Sequence, residues 1–304
     1  MSKFFKALEH AEHEQALRRQ VAPVKPWNGP PSAAPEAFSP SALPARQLPN
    51  AIASSLDEHL VSLLAPKSRE AEQYRALRYL IEQLHKSTDL SVIAVSSPAV
   101  ADGKTTTAIN LAGALAQAPD ARVLLIDADL RVPSLARQLG FDADPGPGLV
   151  EAILNGNFTL DAVTRNASQL NLSVVTTGRI PAAPYEVLKS PRLGELLAEG
   201  RRRYDYVILD TPPLVPVPDC RIIGRLVDGF LIVVTAHKTP RELLEEALTI
   251  TEQAKVLGLV FNGDDHHVSR GYSYGMPLSD PYRGGWRRRV FGSGTRSRHT
   301  ASHQ

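Results

Sequence analysis

Residues 90–112, LSVIAVSSPAVADGKTTTAINLA, combine three patterns in a fixed order. Leu90 to Val95 is a short apolar run rich in β-branched residues, which predicts a buried strand. A loop of small residues follows, then Gly103-Lys104-Thr105-Thr106, and then an apolar pattern of helical spacing from Ile109 to Leu115. A strand, a small-residue loop, Gly-Lys-Thr and a helix together are typical of a phosphate-binding P-loop.

Such a loop binds phosphate because unpaired N–H groups in the loop and at the helix start point toward one spot. Lys104 would add a positive charge for the β- and γ-phosphates, and the Thr105 hydroxyl would complete the ligand shell of a Mg²⁺ ion. We therefore assign nucleotide binding to the segment Asp102, Gly103, Lys104, Thr105 and Thr106.

The loop departs from the GxxxxGK pattern at two positions. Pro98 stands where the first glycine is expected, and Ala101 replaces a second glycine that often precedes the Gly-Lys pair. If Ala101 adopted a left-handed conformation, the strain would cost roughly 1–2 kcal/mol. The motif therefore needs support from the rest of the chain.

That support comes from acidic residues after two further apolar runs. Ala121–Asp127 and Tyr204–Asp210 are predicted strands that end in aspartate, and Asp129 and Arg131 follow the first of them. Ligands bind beyond the carboxyl ends of strands in open α/β sheets, so we expect these groups near the loop. A carboxylate there can hold Mg²⁺ or accept a proton from an attacking hydroxyl.

The remaining patterns predict the fold. Leu172–Val175, Phe230–Val234 and Leu257–Asn262 are further predicted strands, and Thr239-Pro240-Arg241-Glu242 predicts a helix start with capping-box spacing and Pro240 in the first helical position. Alternating strands and helices predict an α/β fold with a doubly wound, mostly parallel sheet. Asn262, at the end of its strand, could reach a nucleotide base.

Composition restricts the class of protein. The net charge of +2 does not favour nucleic acid as a bulk partner, and the only cysteine, Cys220, excludes an internal disulfide. The sequence shows no secretory signal pattern and no apolar run approaching ~18 residues. We therefore expect a cytosolic protein without a membrane span.

Composition also predicts four segments: a short amphipathic helix (1–20), a Pro/Ala/Ser-rich linker (21–66), a P-loop domain (67–263) and a disordered tail (264–304) that contains Tyr272, Tyr274 and Tyr282. Within the start of the domain, SREAEQYRALRYLIEQLHK is helical. Its predicted apolar face consists of Leu77, Leu80, Ile81 and Leu84. Glu72, Arg75 and Arg78, at three-residue intervals, fall along one side of this helix.

Together, SSPAVADGKTTTAINLA, LLIDADLRVPSL, YDYVILDTPP and the tyrosine-bearing tail resemble the bacterial tyrosine kinases of capsule and exopolysaccharide systems, which belong to the P-loop superfamily of MinD and ParA. The resemblance covers roughly residues 68–282. It implies an ATP- and Mg²⁺-dependent kinase with Lys104, Asp127, Asp129 and Asp210 as catalytic residues, Thr105, Asp127 and Asp210 at the metal, and Arg131 and Asn262 among the nucleotide contacts. The tail tyrosines would be phosphorylated by a neighbouring subunit.

The resemblance also implies partners. EQYRALR is similar to the oligomerisation helix of these kinases, so Glu72, Arg75 and Arg78 would contribute to a ring of identical subunits. A membrane-embedded regulator of polysaccharide chain length, on a separate polypeptide, would activate the kinase at the inner face of the membrane. A cognate tyrosine phosphatase is a further partner that the resemblance allows.

Two other functions are compatible with the motifs. A positioning ATPase of the MinD and ParA type would share the fold, but those proteins carry a second lysine early in the loop, where this chain has Ala99, and generally lack a tyrosine-bearing tail. An ATP-binding assembly factor would bind nucleotide tightly and recruit a partner through the N-terminal helix without transferring phosphate.

Overall fold

A computed structural model describes residues 55–141, 146–167, 170–251 and 255–263. The predicted N-terminal helix, most of the predicted linker and the tail with its three tyrosines lie outside these residues. The strands are β1 Val92–Ser96, β2 Val123–Asp127, β3 Arg165–Ala167, β4 Leu172–Val175, β5 Tyr206–Asp210, β6 Gly229–Thr235 and β7 Val256–Asn262. The helices are α1 Val61–Leu64, α2 Arg69–Thr88, α3 Lys104–Leu115, α4 Leu135–Gln138, α5 Leu149–Leu154, α6 Leu160–Val163, α7 Pro184–Leu188, α8 Pro191–Arg203, α9 Asp219–Ile223 and α10 Arg241–Ile250.

The strands form one sheet in the order β3-β4-β2-β5-β1-β6-β7. Every pairing is parallel except that of β3 with β4, which is antiparallel. The predicted doubly wound α/β fold is therefore confirmed, and each predicted strand is present within two residues of its expected bounds. The short edge strand β3, with the sequence Arg-Asn-Ala, was not predicted because it has neither apolar character nor alternation.

The central strands are buried on both faces, which explains their unbroken apolar sequences. Successive side chains of β1 enter different cores: Val92 and Ala94 pack toward α8, whereas Ile93 and Val95 pack toward α3. Helices thus cover both faces of the sheet, and the carboxyl ends of the parallel strands are left to carry the loops.

Helix α2 packs on α3 along a narrower face than the sequence predicted. Ile81 is buried, and Leu77 and Leu84 pack against the same core. The prediction for Leu80 was wrong, since its side chain is 58% exposed. Adjacent helical residues are about 100° apart, so Leu80 points away from the core when Ile81 points into it.

Residues before α2 extend the packed domain beyond its predicted start at residue 67. Leu60 is fully buried, and the Ser62 main-chain N–H donates to Asn110 Oδ1 at 2.8 Å. Asn110, on α3, also donates to the His59 carbonyl at 3.0 Å. Short polar and apolar contacts of this kind are not visible in a segment whose composition resembles a linker.

The start of α10 differs from the prediction by one residue. Pro240 is the N-cap and Arg241 is the first helical residue, so Thr239 does not cap the helix. The Thr239 hydroxyl accepts from the Thr235 N–H at 2.9 Å and donates to Asp102 at 2.7 Å. Among the described residues, no helix is both long and apolar enough to cross a membrane.

Candidate active site

The predicted catalytic groups lie at the carboxyl ends of three adjacent strands, β2, β5 and β1, in the middle of the sheet. Asp127 and Asp210 are register partners at the ends of β2 and β5. The loop after β1 leads into α3, whose first residue is Lys104. This sheet order brings together residues that are far apart in sequence.

The start of α3 has the geometry of a phosphate site. Gly103 is the N-cap with φ of 88°, a conformation that favours glycine, and a Cβ there would displace the Asn262 amide, whose Nδ2 would lie 2.1 Å away. The first turn of a helix leaves its N–H groups without partners inside the helix, and these groups attract anions. The helix start is therefore suited to bind phosphate oxygens.

Lys104 lies between two carboxylates. Its Nζ is 2.8 Å from Asp129 Oδ2 and 3.9 Å from Asp210 Oδ1. Burial lowers the pKa of Lys104, but attraction by Asp210 and Asp129 outweighs this effect and raises its pKa overall. The lysine is thus positively charged at neutral pH.

Thr105 joins the helix start to β5. Its hydroxyl donates to Asp210 Oδ2 at 2.6 Å and accepts from the Ser134 hydroxyl at 3.1 Å. The other oxygen of Asp210, Oδ1, is buried and has no hydrogen-bond partner among the described residues. Its nearest cation is Lys104 Nζ at 3.9 Å, and a buried carboxylate oxygen without a hydrogen bond indicates a group that takes another ligand.

Asp127 is buried, and its pKa is strongly raised. Burial and repulsion by Asp210 raise the pKa of Asp127 to about 8, although the Leu135 N–H donates to its Oδ2 at 3.2 Å and opposes the shift. Burial likewise raises the pKa of Asp210 to about 6, against the attraction of Lys104. Perturbed acids of this kind cluster at functional sites.

The donor set fits a magnesium ion. The Thr105 hydroxyl and the carboxylates of Asp210 and Asp127 are hard oxygen ligands, and the orphaned Asp210 Oδ1 lies next to them in a negatively charged region. No group of three or more His, Cys, Asp or Glu side chains in the described part of the chain is arranged to hold a metal by itself. Mg²⁺ in nucleotide sites usually uses one or two carboxylates together with phosphates and water.

Other predicted nucleotide contacts are engaged within the protein. The Thr106 hydroxyl donates to Gln138 Oε1 at 3.2 Å, and Asn262 Nδ2 donates to the Asp102 carbonyl at 3.1 Å. The Asp102 carboxylate is turned toward the connection between β6 and α10. Arg131 forms two hydrogen bonds with Asp219, at 2.8 and 2.9 Å. The contact of these four residues with nucleotide stays a prediction.

Sequence reasoning missed three residues that shape this site: Asp219, Ser134 and Thr239. Asp219 is fully buried at the start of α9 and pairs with Arg131. Its only sequence signal is an acid after the Pro-rich stretch that follows β5, which does not reveal its partner. Ser134 belongs to no motif, and the capping-box pattern of Thr239 indicated a helix start and not a contact with the loop.

The predicted oligomer contacts lie on α2, which packs alongside α3. Arg75 pairs with Glu72 and also contacts the Pro66 carbonyl. Arg78 bonds to Glu82 at 2.6 Å and to the Ala114 carbonyl at 3.0 Å. The arginines therefore stabilise the subunit itself, in addition to any contact with another copy.

Known proteins are similar to this chain in sequence. The sequence profile of a family described as an AAA domain matches residues 90–242. Tyrosine-protein kinase YwqD of Bacillus subtilis is 36% identical over 224 residues, which are 73% of this chain and 92% of YwqD. The succinoglycan biosynthesis transport protein ExoP of Rhizobium meliloti is 33% identical over 214 residues, which are 69% of this chain but only 27% of ExoP.

A solved structure agrees with the sequence relatives. The kinase domain of the Escherichia coli tyrosine kinase ETK superposes with a TM-score of 0.64 and 29% identity, covering 76% of this chain and 86% of that domain. The likeness therefore extends over about three quarters of this chain.

Proposed function

This chain belongs to the family of bacterial tyrosine-protein kinases, and we propose that it transfers the γ-phosphate of ATP to Tyr272, Tyr274 and Tyr282 in the tail of a neighbouring subunit. The observation that carries the proposal is the contact of Lys104 with Asp129 and Asp210 directly beside the N-terminus of α3. This arrangement places positive charge, phosphate-binding N–H groups and acids at one point.

The proposed reaction is direct phosphoryl transfer. The tyrosine oxygen forms a bond to the γ-phosphorus, the bond from that phosphorus to the bridging oxygen of ADP breaks, and a carboxylate, Asp127 or Asp129, takes the phenolic proton. Lys104 and the N–H groups of α3 hold and neutralise the phosphates. A magnesium ion held by Thr105, Asp210 and Asp127 would supply further charge neutralisation.

The biological setting is proposed from the relatives. ExoP is named for succinoglycan biosynthesis and transport, which supports a role in the polymerisation or export of an exopolysaccharide. We propose that a separate membrane-embedded regulator of chain length activates the kinase and holds it at the inner face of the membrane. Self-association through Glu72, Arg75 and Arg78 on α2 would present one subunit's tail to the next, and a tyrosine phosphatase would reverse the modification.

The test is mass spectrometry of the full chain after incubation with Mg-ATP, with and without the cytosolic segment of the candidate regulator. Lys104→Met removes the charge that neutralises the phosphates, so we expect no phosphotyrosine. A chain with Tyr272, Tyr274 and Tyr282 changed to Phe should also remain unmodified. Lys189→Met, which removes an exposed lysine at the end of α7, is the matched control and should be modified like the natural chain.

Two outcomes would contradict the proposal. Phosphotyrosine in the Lys104→Met protein would show that the transfer occurs elsewhere. ATP bound by the natural chain without phosphate transfer under either condition would identify an ATP-dependent assembly factor instead. Circular dichroism of each variant should accompany the assay, because Lys104→Met leaves buried carboxylates without their cation.

A further inference from the structure

The phosphate-binding loop contains a strained residue. Ala101 has φ of 62°, in the left-handed region that glycine adopts without cost and alanine does not. Such a conformation persists only where the surrounding structure holds it. The hydrogen bonds around this turn therefore decide whether the loop keeps its shape.

The strongest contacts come from the next residue, Asp102, whose side chain is 2% exposed. Its Oδ1 accepts from the hydroxyls of Thr239 at 2.7 Å and Thr235 at 3.1 Å. Its Oδ2 accepts from the Ala99 N–H at 3.0 Å, across the turn that contains Ala101. Hydrogen bonds to a carboxylate are stronger than neutral ones, so this side chain ties both ends of the turn to β6.

Thr239 is suited to this role because its hydroxyl is held on both sides. It accepts from the Thr235 N–H at 2.9 Å while it donates to Asp102, which orients the donor hydrogen toward the carboxylate. A residue at the end of β7 also binds the loop, since Asn262 Nδ2 donates a hydrogen bond to the Asp102 carbonyl at 3.1 Å. The loop is thus attached to two elements outside the motif.

We infer that Asp102 is a positioning residue: its bonds to Thr239, Thr235 and the Ala99 N–H hold Ala101 left-handed and set the shape of the nucleotide loop in place of the missing glycine. Asp102 itself then acts on phosphate through the position of the neighbouring N–H groups. The inference about nucleotide affinity rests on the proposed function, whereas the inference about loop shape does not.

The experiment is a double-mutant cycle of Thr239→Ala and Ala101→Gly in the full chain, with Mg-ATP affinity measured by calorimetry. Loss of a hydrogen bond to a charged group should weaken ATP binding about tenfold when residue 101 is alanine and less than about twofold when it is glycine. Glycine needs no anchor to be left-handed, so the two changes should be strongly non-additive. Thr239→Ser keeps the hydroxyl and should restore the affinity.

Thr249→Ala is the matched control, because this threonine lies on α10 and its hydroxyl bonds within the helix, to the Glu245 carbonyl at 2.8 Å. Its effect should not depend on residue 101. An equal loss of affinity for Thr239→Ala in both backgrounds would overturn the inference, since Thr239 would then act through α10. If the natural chain binds no ATP, the proposed function fails. The natural chain, the two single variants and the double variant are then compared by urea unfolding, and additive shifts of the unfolding midpoint would overturn the inference about loop shape.

Discussion

At the scale of single residues, the site contains three carboxylates, and the positive charge of Lys104 cannot neutralise all of them. Asp127, Asp129 and Asp210 are all buried, and Lys104 contacts only the last two. Burial and repulsion by the negative charge of Asp210 raise the pKa of Asp127 to about 8. This arrangement favours cation binding at the expense of the stability of the metal-free protein.

The first prediction concerns the pH dependence of Asp127→Asn without metal. Because the folded pKa of Asp127 lies above its unfolded value of 3.8, the folded protein binds more protons and loses stability as pH rises from about 4 to about 8. Asparagine does not titrate in this range. The free energy of unfolding of the variant should therefore rise relative to that of the natural chain by about 1 kcal/mol per pH unit in this window. Urea unfolding in EDTA at pH 5.5, 6.5 and 7.5 measures the difference.

Asp205→Asn is the control for this prediction. A hydrogen bond from Arg122 lowers the pKa of Asp205. The ionised Asp205 carboxylate therefore contributes fully to the stability of the folded protein above about pH 4, and this contribution is lost only as pH falls further. Its stability difference from the natural chain should be constant between pH 5.5 and 7.5. A constant difference for Asp127→Asn as well would refute the assigned titration.

At the scale of elements, the five-residue helix α9 positions the loop after β2. Asp219, its first residue, is fully buried and accepts both hydrogen bonds from the Arg131 guanidinium. The main-chain N–H groups of Arg131 and Val132 donate to Asp129 Oδ1 at 3.3 and 3.0 Å. The ion pair therefore supports the carboxylate that contacts Lys104.

The second prediction is that Asp219→Asn impairs the site as well as the fold. Replacing a buried, paired carboxylate leaves Arg131 without its counter-charge, which should lower the free energy of unfolding by about 1–3 kcal/mol. Displacement of Asp129 should slow tyrosine phosphorylation about tenfold. Urea unfolding and the rate of phosphotyrosine formation at saturating ATP measure the two effects.

Glu245→Gln is the corresponding control, since it removes the charge from the exposed pair that Glu245 forms with Arg241 on α10. Exposed pairs contribute little, so this change should alter stability by less than about 0.5 kcal/mol and leave the rate unchanged. If Asp219→Asn behaves like Glu245→Gln, α9 does not position the catalytic loop.

At the scale of the whole molecule, α2 presents apolar side chains to the solvent. Tyr79 is 60% exposed and Leu80 is 58% exposed, next to the Glu72, Arg75 and Arg78 side of the helix. Adjacent exposed apolar residues of this kind often mark a protein contact. They support the proposed self-association better than Arg78 does, because Arg78 already bonds to Glu82 and the Ala114 carbonyl.

The third prediction is that Tyr79→Ser with Leu80→Ser shifts the protein toward monomers and reduces transfer between subunits. Since both side chains are exposed, the urea midpoint should change little. Light scattering after size exclusion measures the assembly. Leu154→Ser, which changes a 65% exposed side chain at the end of α5, should leave the assembly intact. Equal assembly of both variants would exclude this face of α2.

The sequence by itself determined the fold class, the positions of all the described strands except β3, and the P-loop with its acids. These features depend on patterns within a few residues: alternating or continuous apolar runs, Gly103-Lys104-Thr105, and aspartates at strand ends. It also indicated that a left-handed Ala101 would be strained. The exposure of Leu80 and the true start of α10 were not predictable locally, because packing against α3 and the bonds of Thr239 override the pattern.

Only the tertiary structure decided which distant residues outside the recognised motifs meet. Asp219 lies 88 positions from Arg131, and Thr239 lies 137 positions from Asp102, yet each pair is joined by hydrogen bonds. Both contacts follow from the strand order, which places β2 beside β5 and β1 beside β6. Strand order reflects the global packing of helices on both faces of the sheet, and no local pattern of side chains encodes it.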